Sequence, residues 1–217
     1  LAIDKAGKWG GTGVTTSGPA NVNAPSQVAS EIVDWKDPIN GVRTKAAGEQ
    51  LVDADALYAT WTDYTTVDGA QGAKPELIAK VIYESGETCD WLQSYGFEFT
   101  PAVGFVGGKW AIFSSYVGQK QLTESFFAKA YDRYTEMGGQ YLLETEATEL
   151  IMQDGKAVGV RAIKADGTSV TINAKAVILC TGGFAGSDEM QEKYIGQAYK
   201  LFGMSTNDGK MIESAIE

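Results

Sequence analysis

The sequence predicts an α/β protein in which a parallel sheet is combined with an antiparallel β-meander and packed helices. Two segments, residues 75–95 and 122–137, space their apolar side chains three and four apart, as amphipathic helices do. From Gln140 the period of the apolar residues changes to two, which is typical of strands. The apolar run at residues 176–180 leads into a Thr-Gly-Gly turn, a pattern typical of a fully buried parallel strand.

The chain opens on a short apolar strand, residues 1–4, that ends in Asp4 and leads into a glycine-rich loop. Glycine is used where the backbone must bend or where another group must come close to it. Residues 18–52 are rich in Pro, Asn, Gly and Ser, which predicts irregular structure with a short helix. Because the strand is already in progress at Leu1, without an initiator methionine or a signal peptide, we expect the chain to be a piece of a longer polypeptide.

Helix signals are clear at both ends of one segment, where Pro75 suits the first helical position and Gly96 suits the residue after the last. Helices are predicted over residues 53–65, 75–95, 122–137 and 187–194, with a glycine and aromatic loop over residues 97–118.

Two Asp-Gly pairs, at residues 154–155 and 166–167, are hairpin turn signals and divide the period-two region into a small antiparallel meander. Strands are predicted over residues 141–144, 149–152, 157–164 and 169–173, followed by the buried strand at 176–180. The last segment, residues 206–209, predicts a turn into a helix at residues 211–217.

Composition excludes several classes of function. The formal net charge of −10 and a pI of about 4.6 argue against nucleic-acid binding, which needs clustered Lys and Arg. The chain has no histidine, which excludes Ser-His-Asp and Cys-His catalysis, most zinc sites and a histidyl link to a cofactor. No apolar run approaches the length of a membrane-spanning helix. Cys89 and Cys180 both stand in apolar stretches, and we expect two buried free thiols rather than a disulfide.

A strand that ends in an acid and opens to a glycine loop is typical of the second strand of a dinucleotide-binding fold, where the acid accepts hydrogen bonds from a ribose. Asp4 fits that role, and an ordinary aspartate at a strand end fits the pattern equally well. The glycine fingerprint that defines such a fold lies about 20 residues before the acid, outside this sequence.

Four blocks of sequence, taken in their order and spacing, resemble one family across nearly the whole chain. They comprise Ile3, Asp4, Lys5, Ala6, Gly10, Gly11, Thr12, Ser17 and Gly18; then Pro75, Glu76, Leu77, Asp90, Trp91, Leu92 and Gly96; then residues 154–160 with 174–184; and finally residues 206–209. This combination resembles the FAD-dependent fumarate reductase and succinate dehydrogenase flavoprotein superfamily, and is also similar to ketosteroid dehydrogenases and urocanate reductase. Residues 31–72 match poorly, and Asn207 replaces the usual first glycine of the last block.

The resemblance implies a partial FAD-binding, Rossmann-like α/β domain over residues 1–217. Residues 1–30 would form the second Rossmann strand and the flavin loop, residues 31–139 a loop and helical excursion, and residues 140–217 the meander, the Thr-Gly-Gly turn and a truncated helix. The N-terminal dinucleotide loop and the C-terminal cap would be absent. We therefore expect this chain alone to bind FAD weakly or not at all and to catalyse nothing.

The resemblance also implies a set of residues that bind FAD non-covalently. The set comprises Asp4, Lys5, Gly10, Gly11, Thr12, Ser17, Gly18, Ala147, Thr181, Gly182 and Asp208. From the residues alone, the glycines also suit a plain surface loop, Ala147 an ordinary strand and Asp208 a plain turn. No catalytic residue and no metal ligand is assigned, and Arg43, Arg133 and Arg161 are the only arginines.

The activity that the resemblance implies is reduction of an activated carbon–carbon double bond by hydride transfer from flavin N5. The implied substrate is a small unsaturated carboxylate or enone, and an electron-donor protein or domain of unknown kind is implied as partner. A ketosteroid-type dehydrogenase and a structural piece that is inactive without the rest of the polypeptide remain as alternatives. The compartment stays open between bacterial cytoplasm and cell envelope.

Overall fold

The structure is a computed structural model that describes residues 1–16, 18–104, 110–117, 124–200 and 206–216. Its contacts separate two units, which we name by their place in the sequence. The terminal unit combines Leu1–Thr15 with Ala130–Glu217, and the middle unit is Thr16–Lys129.

Within the described part of the terminal unit, parallel pairing joins two short strands. Strand β1 (Ala2–Ile3) pairs with β8 (Tyr141–Leu142), so that Ala2 lies opposite Tyr141. A 3-10 helix, Gly11–Thr15, follows the glycine loop after β1. The unit therefore contains the parallel pairing that the α/β prediction required.

The predicted meander is confirmed for its last three strands, whereas its first, predicted over residues 141–144, pairs in parallel with β1 instead. Strands β9 (Thr145–Gln153), β10 (Lys156–Lys164) and β11 (Ser169–Asn173) form one antiparallel sheet in the order β11-β10-β9. Asp154 and Gly155 both have positive φ in the turn between β9 and β10, as the Asp-Gly signal predicted.

Two helices follow the meander, and both were predicted. Helix α5 (Asp188–Ile195) begins where the Ser187 hydroxyl accepts a hydrogen bond from the Met190 backbone amide, and it ends at Gly196, whose φ is 89°. Helix α6 (Lys210–Ile216) packs along β9, where the Ser214 hydroxyl accepts a 3.0 Å hydrogen bond from the Leu150 amide.

The predicted buried strand at residues 176–180 is wrong. The segment has no strand pairing with any described residue, and Ile178 is 86% exposed. Cys180 is also exposed, which corrects the expectation that both thiols are buried. The physical reason is that an apolar segment becomes a buried strand only where a neighbouring strand satisfies its backbone, and among the described residues the sheet of β1 and β8 has no third strand.

The middle unit is built on two packed helices, α2 (Ala54–Tyr64) and α3 (Pro75–Ser94). Both agree nearly to the residue with the predictions, and in the structure Asp53 caps the first through the Ala56 amide while Pro75 opens the second. The apolar core includes the buried faces of both helices, and its members are Val22, Trp35, Leu51, Val52, Leu57, Ile78, Ile82, Ala102 and Ala111.

The remaining elements of the middle unit are short. The expected short helix is present as α1, but residues 18–52 also contain a hairpin that the sequence did not predict. The elements are α1 (Pro25–Ala29), β2 (Ile32–Asp37), β3 (Gly41–Lys45), β4 (Thr66–Val67), β5 (Ala70–Gln71), β6 (Val103–Gly104) and β7 (Ala111–Phe113), with α4 (Glu124–Glu136) crossing into the terminal unit.

Within the described ranges, no helix combines the length and the apolar character that crossing a membrane requires. The same ranges hold no group of three or more Cys, Asp or Glu side chains arranged to bind a metal ion.

Candidate functional site

The carboxylate of Asp4 lies at the end of β1, where the chain enters the glycine loop. The Asp4 amide donates to the Leu142 carbonyl (2.9 Å), and the Asp4 carbonyl accepts from the Thr145 amide (2.9 Å). Its Oδ1 accepts a 2.9 Å hydrogen bond from the Ala6 amide, which closes a tight turn. Among the described residues, none forms a hydrogen bond with the second carboxylate oxygen, Oδ2. One carboxylate oxygen is thus available to a polar ligand such as a ribose hydroxyl.

The glycine loop adopts conformations that side chains resist. Gly10 has φ 102° and Gly11 has φ 49°. A Cβ added at Gly11 would meet no atom within 4 Å, so the backbone there faces open space. Backbone amides in such a loop suit the binding of a phosphate, and for these glycines that role stays a prediction.

The turn at residues 206–209 lies against the same loop. Lys5 Nζ lies 2.8 Å from Asp208 Oδ2, although the two residues are far apart in sequence. Partial burial raises the pKa of the Asp208 carboxyl, but hydrogen bonds from Lys5 and from the Lys210 backbone amide outweigh it and hold that pKa below its ordinary value. Asp208 is therefore a carboxylate at neutral pH, and it fixes the position of the Lys5 ammonium.

A second cation extends this ion pair toward the meander. Lys210 Nζ lies 3.9 Å from Asp208 Oδ2 and 2.6 Å from Glu146 Oε1. The hydrogen bond to Glu146 is the main reason why the pKa of Lys210 is raised. Charges of alternating sign thus connect Lys5, Asp208, Lys210 and Glu146. Ala147, the half-buried candidate beside Glu146, lies on β9 opposite Ala162.

The Thr-Gly-Gly turn also reaches this region. Gly182 has φ 77°, and a Cβ there would lie 2.9 Å from Asn207 Oδ1. The Asn207 amide nitrogen donates to the Thr12 hydroxyl at 3.4 Å. Asn207 does not have positive φ, so it stands in place of the usual glycine without backbone strain. Thr12, Gly182 and Asp208, from three separate sequence blocks, therefore lie in one region of the terminal unit.

For two of the predicted site residues, the described contacts give no link to this group. Ser17 lies outside the described residues. Gly18 belongs to the middle unit, where a Cβ would lie only 1.8 Å from the Ser114 carbonyl oxygen. Close backbone packing is therefore sufficient to require glycine at position 18.

The three arginines each have a carboxylate partner. Arg133 lies 3.1 Å from Glu136 on the exposed face of α4, and Arg161 lies 3.5 Å from Glu149 on the meander. Both side chains are exposed. Arg43 lies on β3 rather than in an irregular loop, 3.5 Å from the Asp37 carboxylate and 5.3 Å from the centre of the Trp35 ring.

Sequence reasoning missed two residues, one within the glycine loop and one in contact with it. The Trp9 ring stacks on Tyr131 of α4, with 4.3 Å between ring centroids and 7° between ring planes. A large aromatic residue among glycines was the available signal for Trp9. Asn207 was singled out only because it replaces a glycine. Its contact with Thr12 could not be predicted from a local sequence pattern, because the two residues are far apart in sequence.

Comparison with known proteins identifies an FAD-binding domain over most of the chain. Residues 42–217 match the family model described as FAD binding domain. The NADH:acrylate oxidoreductase of Vibrio harveyi is 31% identical over 122 residues, which are 55% of this chain and 12% of that protein. The NADH:fumarate oxidoreductase of Klebsiella pneumoniae (strain 342) is 21% identical over 202 residues, which are 85% of this chain and 21% of that protein.

Solved structures show a similar fold. The 3-ketosteroid-Δ4-(5α)-dehydrogenase from Rhodococcus jostii RHA1 gives a TM-score of 0.69 at 18% identity, covering 99% of this chain and 47% of that one. A flavocytochrome c3 fumarate reductase gives a TM-score of 0.68 at 18% identity, covering 99% of this chain and 35% of that one. The chain thus spans less than half the length of each of these proteins.

Proposed function

Since this chain belongs to the FAD-binding domain family, we propose that it forms the flavin-binding part of an oxidoreductase that reduces an activated carbon–carbon double bond. The observation that carries the proposal is the match to two curated relatives whose names specify oxidation of NADH with acrylate or fumarate. Both acceptors are small unsaturated carboxylates. We therefore assign the same substrate class to the complete protein.

The residues of the terminal unit fit FAD in their chemistry. The open Oδ2 of Asp4 suits a ribose hydroxyl, and the open backbone at Gly11, next to Gly10, suits the pyrophosphate. Thr12 offers a hydroxyl donor, and Thr181 with Gly182 allows close approach of the ADP half. Bound FAD would supply the hydride chemistry at flavin N5, which no side chain can provide.

The other members of the proposed site have supporting roles. Asp208 holds Lys5 at 2.8 Å, so that an ammonium stays beside the loop. Ala147 is small enough to let an adenine approach the β9 backbone. Ser17 and Gly18 complete the proposed set, and we take residues 1–217 as part of one FAD-binding domain with an excursion at residues 31–139.

The groups that clamp the substrate and move its proton come, in this proposal, from other parts of the complete polypeptide. Each arginine of this chain already pairs with a carboxylate. The electron donor is likewise assigned to another domain or protein, and NADH is the reductant named for both curated relatives.

A second candidate is a flavin dehydrogenase of the ketosteroid type. The observation in its favour is the TM-score of 0.69 to a ketosteroid dehydrogenase. The TM-score to the flavocytochrome c3 fumarate reductase is nearly the same, at 0.68. The curated relatives favour the reductase, because the acrylate oxidoreductase aligns at 31% identity whereas the ketosteroid dehydrogenase aligns at 18%.

The test uses the complete natural protein, purified without added cofactor. We expect a flavin absorption band at about 450 nm and oxidation of a reduced viologen dye that depends on acrylate or fumarate. A matched assay offers a 3-ketosteroid with an artificial electron acceptor. Steroid turnover without carboxylate reduction would favour the second candidate, and a preparation that neither contains nor binds FAD would leave only a structural role.

A further inference from the structure

The glycine loop, residues 7–13, is held on one side by an aromatic stack. The Trp9 and Tyr131 rings are nearly parallel at 4.3 Å. Tyr131 in turn contacts Tyr141 edge to face, with 5.9 Å between centroids and 64° between planes. Tyr141 belongs to β8, which pairs with β1. The loop is thus tied back to the strand pair that it leaves.

The other side of the loop is held by Asn207. Its side-chain nitrogen donates to the Thr12 hydroxyl, and its side-chain oxygen lies against Gly182. The Asn207 backbone is itself fixed, because its carbonyl accepts a 2.8 Å hydrogen bond from the Gly186 amide. One side chain therefore joins the glycine loop to the Thr-Gly-Gly turn.

We infer that Trp9 and Asn207 are positioning residues, which hold the glycine loop in its dinucleotide-binding form before the ligand arrives. This inference rests on the proposed binding of FAD. A segment with four glycines in seven residues loses more conformational entropy on ordering than other sequences do. Contacts that order the loop in advance remove this cost from the binding step.

The size of the effect follows from the contacts. A stacked aromatic pair contributes enough to change a binding constant by about two- to tenfold when its whole effect falls on binding. A single neutral hydrogen bond contributes a similar or smaller factor. Loss of Trp9 should therefore weaken FAD binding measurably without abolishing it.

The experiment measures the FAD dissociation constant and the melting temperature of the apoprotein for variants of the complete natural protein. We expect Trp9→Leu and Tyr131→Leu each to raise the dissociation constant about fivefold, and the double variant to raise it no further, because both remove the same stack. Trp9→Phe keeps an aromatic ring and should bind within about twofold of wild type. Asn207→Ala should raise the dissociation constant about threefold.

Trp91→Leu is the matched control. Trp91 also contacts a tyrosine, Tyr95, with 5.2 Å between centroids, but both lie on or beside α3 in the middle unit. Its substitution should leave the FAD dissociation constant unchanged.

Stability and positioning are separated by the two measurements. A purely structural role predicts a lower melting temperature with an unchanged FAD dissociation constant, and that result for Trp9→Leu would overturn the inference. Equal weakening by Trp91→Leu would overturn it as well. If Trp9→Leu does not fold, Asn207→Ala decides, and wild-type affinity in that variant counts against the inference. Absence of FAD binding by the wild-type protein would instead refute the proposed function itself.

Discussion

Asp37 is a carboxylate with a fully buried side chain, and its environment explains how the charge is tolerated. Its oxygens accept hydrogen bonds from the Ile39, Asn40 and Gly104 amides and from the Asn40 side chain. The Arg43 guanidinium lies 3.5 Å away. Burial alone would raise the pKa of Asp37, but these hydrogen bonds lower it to about 2. The charged form is thus built into the end of the hairpin.

The first prediction concerns the pH dependence of this contribution. A carboxyl whose folded pKa of about 2 lies below the ordinary value of 3.8 stabilises the folded state above about pH 4, and this contribution is lost as the pH falls through about 2. The shift corresponds to about 2 kcal/mol. Asp37→Asn should therefore lower the free energy of unfolding by about 2 kcal/mol at pH 7, and the difference from wild type should shrink toward pH 2.

Urea unfolding followed by tryptophan fluorescence at several pH values measures this difference. Asp132→Asn, on the exposed face of α4, is the control and should change the unfolding free energy by less than about 0.5 kcal/mol. A difference between wild type and Asp37→Asn that stays constant from pH 7 to pH 3 would contradict the assignment of the stabilisation to the charged carboxylate.

The second prediction uses two adjacent glycines in the candidate site. Gly182 has φ 77°, and its Cβ position lies 2.9 Å from Asn207, whereas a Cβ at Gly183 meets nothing within 4 Å. Gly182→Ala should lower the unfolding free energy by about 1 to 2 kcal/mol, because alanine is strained at positive φ and crowds the amide. Gly183→Ala should be neutral or slightly stabilising. Equal thermal shifts for the two variants would show that the contact with Asn207 is unimportant.

At the scale of elements, Gly86 shows how packing can reverse a helix propensity. It lies inside α3, where alanine normally stabilises an exposed helix by about 1 kcal/mol relative to glycine. A Cβ at this position would lie 2.4 Å from the Val22 carbonyl oxygen and 2.7 Å from the Ala24 amide nitrogen. Both are backbone atoms, which cannot turn away as a side chain would. The helix therefore needs glycine to let this backbone segment pass.

The third prediction is that Gly86→Ala destabilises the middle unit by about 1 to 3 kcal/mol, against its helix propensity. Glu87→Ala, one residue further along the same helix and exposed, should change the unfolding free energy by less than about 0.5 kcal/mol. Thermal unfolding monitored by circular dichroism compares the two. Stabilisation by Gly86→Ala would mean that α3 and residues 22–24 separate easily.

The elements that the sequence predicted well are those with local signals. Helices α2, α3 and α5 have caps or glycine stops in the sequence itself, and the meander has its Asp-Gly turns. The β2–β3 hairpin was missed because Asp34 has positive φ and the pairing shifts between Ile32 and Trp35. That irregularity breaks the alternation by which strands are recognised.

The candidate site was predicted by resemblance, and its internal contacts were not predictable. Residues such as Thr12 and Gly182 were selected from their sequence blocks, yet the amide of Asn207 that lies between them was not. The same holds for the burial of residues 176–180, which depends on a neighbouring strand. Side-chain contacts between distant segments require the fold before they can be seen.

At the scale of the whole molecule, the two cysteines report on the two units separately. Both are free, as predicted. Cys89 lies in the middle unit and is 1% exposed, and its burial, together with the charge of Asp90, raises its thiol pKa to about 11. Cys180 lies in the terminal unit and is exposed. A thiol reagent therefore meets two very different groups.

The fourth prediction is that one thiol per chain reacts rapidly with an aromatic disulfide reagent at pH 8 and the second reacts only when the middle unit unfolds. Thiolate is the reactive form, so the raised pKa and the burial both slow Cys89. Cys180→Ser should remove the fast phase, and Cys89→Ser should leave it intact. Two fast thiols in the native wild-type protein would contradict the burial of Cys89.

The pairing of β1 with β8 has a consequence for synthesis on the ribosome. Ala2 is among the earliest residues of this chain to be translated, yet its partner Tyr141 follows only after the entire middle unit. At about 5–20 residues per second, the delay is on the order of ten seconds. Residues 16–129 can fold during that time. The stack of Trp9 on Tyr131 and the hydrogen bond from Asn207 to Thr12 form only after Tyr131 and then Asn207 have been synthesised. The glycine loop is thus synthesised early, but the contacts that hold it form late. Between these two events the loop of the nascent chain is exposed to proteases and chaperones.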